Sequence, residues 1–113
     1  MRDNIELTDR LITDAKALNL YGCNPYSICQ NLAGYAGELV SKNADEELKK
    51  GMDAILSVYT YSGDIKIKTA IENILLYKLS TSIMLSPDRK SIMASIPIPF
   101  RKIMNDQICH SGI

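Results

Sequence analysis

Apolar residues return every three or four positions through most of this chain, and that period dictates α-helices. Leu7, Leu11, Ala15 and Leu18 form the first stripe, widened by Ile12. Asp3 with Glu6 three residues later has the form of a capping box, so a first helix is expected over about residues 4–19. Tyr21-Gly22-Cys23-Asn24-Pro25 breaks the pattern. Asn24 can cap a second helix, and Pro25 suits its first position, where the missing N–H has no partner to lose. Ile28, Leu32, Tyr35, Ala36, Leu39 and Val40 line this second helix, about 25–42. Gly34 and Gly37 lie inside it, where each glycine costs about 1 kcal/mol relative to Ala. The expected compensation is close approach of a neighbouring helix backbone.

Lys42-Asn43-Ala44-Asp45 reads as a turn, and Asp45, Glu46 and Glu47 fall in a first turn, where the helix dipole favours acids. Leu48, Met52, Ile55, Leu56 and Tyr59 make the third stripe. Ser62-Gly63-Asp64 should end it, with Gly63 in the left-handed cap and Asp64 starting the next helix. The fourth segment, about 65–85, carries Ile67, Ile71, Ile74, Leu75, Leu76, Leu79, Ile83 and Met84 on more than one stripe, which predicts the most buried helix. Ile65 to Lys68 alternates like a strand but is too short to outweigh that pattern. Ser86-Pro87-Asp88 signals a short helix at about 87–95, and Ile96-Pro97-Ile98-Pro99 is expected to be an extended apolar linker, since each proline disfavours α geometry in its predecessor. Phe100, Ile103 and Met104 begin a last short helix. The fold class is therefore all-α: one domain over 1–113, a five- or six-helix orthogonal bundle of antiparallel helical hairpins (25–61 and 64–95), with 109–113 as a flexible tail.

Composition narrows the function classes. Thirteen basic and thirteen acidic side chains balance, so there is no general attraction to nucleic acid or to an anionic membrane. The balance conceals a gradient: residues 1–63 carry nine acids and six bases (−3), residues 64–113 four acids and seven bases (+3). This is either scatter along helix faces or an attraction between the halves or between two copies. No apolar run reaches the ~20 residues that cross a bilayer. The N-terminus leads into a charged amphipathic segment rather than a signal peptide, and three scattered cysteines make no secreted disulfide framework. The expected location is the cytoplasm.

No constellation carries chemistry. Cys23, Cys29, Cys109 and His110 are the soft metal ligands, but their spacing is not that of a zinc site, and a Cys23–Cys29 disulfide does not suit a cytosolic chain. His110 stands three residues from the end of the chain, without the rigid frame a nucleophile–base pair needs. Glu38, Asp45, Glu46, Glu47 and Asp53 read as solvated helix ends, because the Glu-x-x-His of di-iron bundles is absent. Gly34-x-x-Gly37 follows no strand and so is no nucleotide loop. Lys66, Lys68, Lys78, Arg89, Lys90, Arg101 and Lys102 make the second half basic, yet the long helix there is apolar, unlike a recognition helix. Catalytic, metal-binding and cofactor-binding residues are expected to be none.

What remains is surface. Leu32-Ala33-Gly34-Tyr35 through Glu38-Leu39-Val40, then Glu46-Glu47-Leu48-Lys49-Lys50 and Ala70-Ile71-Glu72-Asn73, with Pro97, Pro99 and Arg101 beyond, resemble a family of short all-helical bacterial proteins of unknown function over about residues 28–104. The resemblance implies a non-enzymatic bacterial protein, an immunity-like or accessory binder. Tyr26, Tyr59 and Tyr61 fall near helix ends, where they either cap the core or form a binding patch. Ile96, Ile98 and Phe100 either join that interface, favouring a homodimer, or fold back over the fourth helix as a lid. The expectation is a non-catalytic protein-binding module with a protein partner. A small DNA-associated regulator and a small-molecule-binding or enzymatic helical domain are the alternatives.

Overall fold

The computed structural model describes residues 3–111, with side chains placed for residues 3–106. Among the described residues the chain is all helical, with six helices and no strand: α1 (Asn4–Ala17), α2 (Pro25–Ser41), α3 (Asp45–Tyr61), α4, α5 (Arg89–Ala94) and α6 (Ile98–Ser111). The fourth, α4, joins three consecutive stretches, Ile65–Ala70, a π-helical Ile71–Leu76 and Tyr77–Met84. The radius of gyration, 13.0 Å, is what a folded chain of this length gives. A thickness of 20 Å, against 39 and 35 Å in the other directions, corresponds to about two layers of helices ~10 Å across.

Local chemistry sets the helix starts. Asp3 accepts the Glu6 N–H at 2.7 Å, Asn24 accepts those of Tyr26 and Ser27, and Asp64 accepts that of Lys66 at 2.9 Å. α2 ends in a Schellman motif: Ala44 N–H reaches Leu39 O, and Asn43 N–H reaches Val40 O. Asn43 takes the left-handed position of that motif, at φ 54°.

The left-handed residue expected at Gly63 is not there; α3 ends on an extended Ser62, and the left-handed glycine among the described residues is Gly22. Ser86 does not cap a helix. Its Oγ accepts the Asp88 N–H, and α5 begins only at Arg89. The extended linker is shorter than expected. Pro99 sits in the first turn of α6, where it loses no helical bond, and both Phe100 and Arg101 donate to Pro97 O. The tail expected at 109–113 is helical as far as Ser111, and residues 112–113 lie outside the described residues.

Packing follows the stripes. α1 lies against both α2 and α3, while α2 lies against α4 on its other side. Pro25 shares a cleft with Asp64 and Ile67, and Val40 shares another with Ser82 and Leu85. The starts of α2 and α4 are therefore together, as are their ends, and the two helices run parallel. Helices that reverse direction at each connection give α2 and α4 this same sense. α5 and α6 fold back onto α4. The fully buried core includes Leu7, Leu11, Leu32, Leu39, Leu48, Met52, Ile55, Ile71, Leu75 and Phe100.

Two glycines do not do what the pattern suggested. A Cβ on Gly34 would meet nothing within 4 Å, and one on Gly37 only Ser82 Oγ at an ordinary 3.5 Å. The tight approach occurs at Gly51 on α3, where a Cβ would stand 2.7 Å from Leu11 Cδ2 on α1.

Candidate functional site

The residues singled out from the sequence separate into two groups. Tyr26 and Tyr61 are exposed, Tyr61 at 86% of its reference area, and Ile98 is exposed at the start of α6. Ile96 and Phe100 are not surface residues: they are 1% and 0% exposed, inside the chain's own core. The lid, not the interface, is the correct reading of this pair. The helical turn at Pro97–Arg101 points Phe100 inward, and Arg101 Nε holds the approach by donating to Ile96 O at 2.8 Å.

Tyr59 goes with Phe100. Its ring meets the Phe100 ring edge-on, with centroids 5.4 Å apart at 81°, a favoured aromatic geometry. The Tyr59 hydroxyl donates to Glu72 Oε2 in the π-helical stretch of α4, and Lys68 Nζ stands 5.5 Å from the ring centroid. The hydrogen bond to Glu72, then burial, then the Glu72 charge push the Tyr59 phenol up to about 12. Three helices are joined at this one side chain.

The exposed tyrosines belong to a different place. The α1–α2 loop and the α3–α4 turn meet at one end of the molecule, around a cleft of about 390 Å³ lined by Leu18, Leu20, Tyr21, Cys23, Pro25, Asp64, Lys66 and Ile67. Of ten large apolar side chains exposed among the described residues, Leu20 and Tyr21 line this cleft, and Tyr26, Tyr61 and Ile65 lie within three residues along the chain of side chains that do. Half of the exposed large apolar side chains thus lie in two short connections or on the helix residues that flank them. The signal that finds all of them but Ile65 is the absence of charge: residues 17–37 and 54–63 contain no Asp, Glu, Lys, Arg or His. Each run alone looks like core. Only their meeting makes a patch.

The other five exposed large apolar side chains, Ile5, Tyr77, Met84, Leu85 and Ile98, lie outside this corner. Asp3, which caps α1, and Glu6, Asp9 and Asp14 on it surround a shallow cleft that Ile5, Arg10 and Tyr35 also line. The Tyr35 hydroxyl, then Glu6, hold the exposed Arg10 guanidinium above its ordinary range. Asp45 accepts a hydrogen bond from Ser91 across α3 and α5, whereas Lys49 pairs with Asp53 along α3 at 3.1 Å. Cys23 donates to Leu18 O, and burial pushes the Cys29 thiol up to about 12, with Cys23 adding to the shift. Both are free thiols. The side chains of Cys109 and His110 lie outside those described. Among the described residues, no three His, Cys, Asp or Glu side chains gather as metal ligands would, and no helix is long and apolar enough to cross a membrane.

No curated protein and no solved structure matches the chain. With a family model matching residues 6–111, nearly the whole of the helical globule and all of this corner, this chain belongs to the family described as a domain of unknown function (DUF7674).

Proposed function

We propose that this chain is a non-catalytic protein-binding module, an immunity-type or accessory protein of the bacterial cytoplasm, and that it engages protein through this apolar corner. One observation carries the reading: two charge-free runs converge beside a cleft and leave Leu20, Tyr21, Tyr26 and Tyr61 exposed, with the exposed Ile65 just beyond them. Depletion of charge with enrichment in tyrosine marks the cores of protein interfaces. Tyrosine provides a large rigid contact area with a polar tip, so little conformational entropy is lost when it is covered. The free thiols Cys23 and Cys29 suit a reducing compartment, and the bacterial setting comes from the family resemblance.

The test places a photoreactive amino acid at position 65, on the corner, or at position 5, an exposed isoleucine at the far end of α1. Irradiation in the cell of origin should give a discrete crosslinked protein from position 65 and none from position 5. Tyr61→Glu, which adds a charge to the patch, should abolish that product. Equal labelling from both positions, or none from 65, would end the proposal.

A further inference from the structure

We infer that the standing occupant of this corner is a second copy of the chain, each copy inserting its Tyr21 ring into the other's cleft across a two-fold axis. The inference rests on the corner being a protein-binding surface and names its partner.

Shape carries it first. Tyr21, on the rim of the cleft, is exposed to 107% of its reference area, so its whole ring is free to serve as a knob for another molecule. Immediately beside it opens the cleft of about 390 Å³, with Leu18, Pro25 and Ile67 among its walls. A knob and a hole on one patch meet the requirement of an isologous contact, in which the axis sets each protrusion against the recess of the other copy. A buried tyrosine hydroxyl needs a partner, and Asn19 and Asp64 on the cleft wall offer acceptors.

Charge agrees with shape. The cleft is lined by one acid and one base, Asp64 and Lys66, on either side of the exposed Ile65. With the axis near Ile65, Asp64 of each copy faces Lys66 of the other, and the favourable contact occurs twice. A partner of uniform sign would set one like charge against the same pair, which costs affinity.

Light scattering coupled to gel filtration at tens of micromolar tests this. The wild type should run at twice its 12.6 kDa mass. Tyr21→Ala, a change at a fully exposed side chain, should run as a folded monomer. Tyr21→Phe should stay dimeric, and so should Leu85→Ala at the other end of α4. A monomeric wild type, or a dimer that survives Tyr21→Ala, overturns the inference. The crosslink at position 65 then separates the two claims. A monomer that still crosslinks to a different protein loses the second copy but keeps the binding surface, whereas a monomer with no crosslink loses both.

Discussion

Gly51 is the residue where two helices come closest. A methyl group there would stand 2.7 and 2.9 Å from the two Leu11 methyls, and Leu11 is itself fully buried, so it has nowhere to turn without moving its neighbours. Overpacking of that kind costs about 1–3 kcal/mol, against a gain of about 1 kcal/mol in helix propensity. Gly51→Ala should therefore destabilise the chain, by about 1 kcal/mol, whereas Gly34→Ala, in open space, should stabilise it by roughly 0.5–1 kcal/mol. Urea unfolding midpoints decide both, and a Gly51→Ala midpoint above the wild type would show that Leu11 yields. Tyr59 gives a second residue-scale prediction. Its folded pKa lies above the ordinary 10.0, at about 12, chiefly because it donates to Glu72. The folded state holds the phenolic proton more tightly than the unfolded state does. Its contribution to stability is therefore full below pH 10 and is lost as pH rises through about 12. The difference in phenolate absorbance between wild type and Tyr59→Phe should rise near the upper value; a midpoint near the lower one would mean the bond to Glu72 is not kept in solution.

At the scale of the element, α4 is the informative case. Ile67, Ile71, Leu75, Leu79 and Ile83 are all buried, and each lies four residues after the last. Sixteen residues separate the first from the last, but four α-helical turns take only ~14.4. A regular helix would carry the later members away from the core, and the π-helical Ile71–Leu76 absorbs the excess. The apolar residues do occupy more than one stripe, since Leu76 is also fully buried beside this one, and the longest stripe carries an extra residue. Deleting the exposed Asn73 should remove that residue and bring Ile67, Ile71, Leu75, Leu79 and Ile83 close to regular α spacing. The deletion should lower the melting midpoint far less than deletion of the exposed Asn31 in α2, which turns Ala36, Leu39 and Val40 away from the core by ~100°. Equal losses from the two deletions would mean the π stretch is held by something other than this register. The four-residue spacing was legible in the sequence, whereas the contact between Glu72 and Tyr59 that accompanies it was not.

For the molecule as a whole, the charge gradient along the chain becomes a division in space. The acidic half forms α1 to α3, the basic half α4 to α6, and α2, whose sole charged residue is Glu38, lies against both α1 and α4. The halves are joined by Tyr59 with Glu72 and Phe100 and by Asp45 with Ser91, while the ion pairs Arg10–Glu6 and Lys49–Asp53 each stay within one helix. The sequence by itself determined the helices and most of their starts, because the period of an apolar stripe and the reach of Asp3, Asn24 or Asp64 to a nearby N–H are local matters. Only the tertiary structure decided that α2 and α4 pack against each other, that Phe100 turns inward under Tyr59, and that residues 18–26 meet residues 61–67 to form the corner. An apolar stripe states that a face will be buried but not against what, since the hydrophobic effect has no direction. Which faces meet is settled by fit, at places such as Leu11 against Gly51, between residues far apart in the chain.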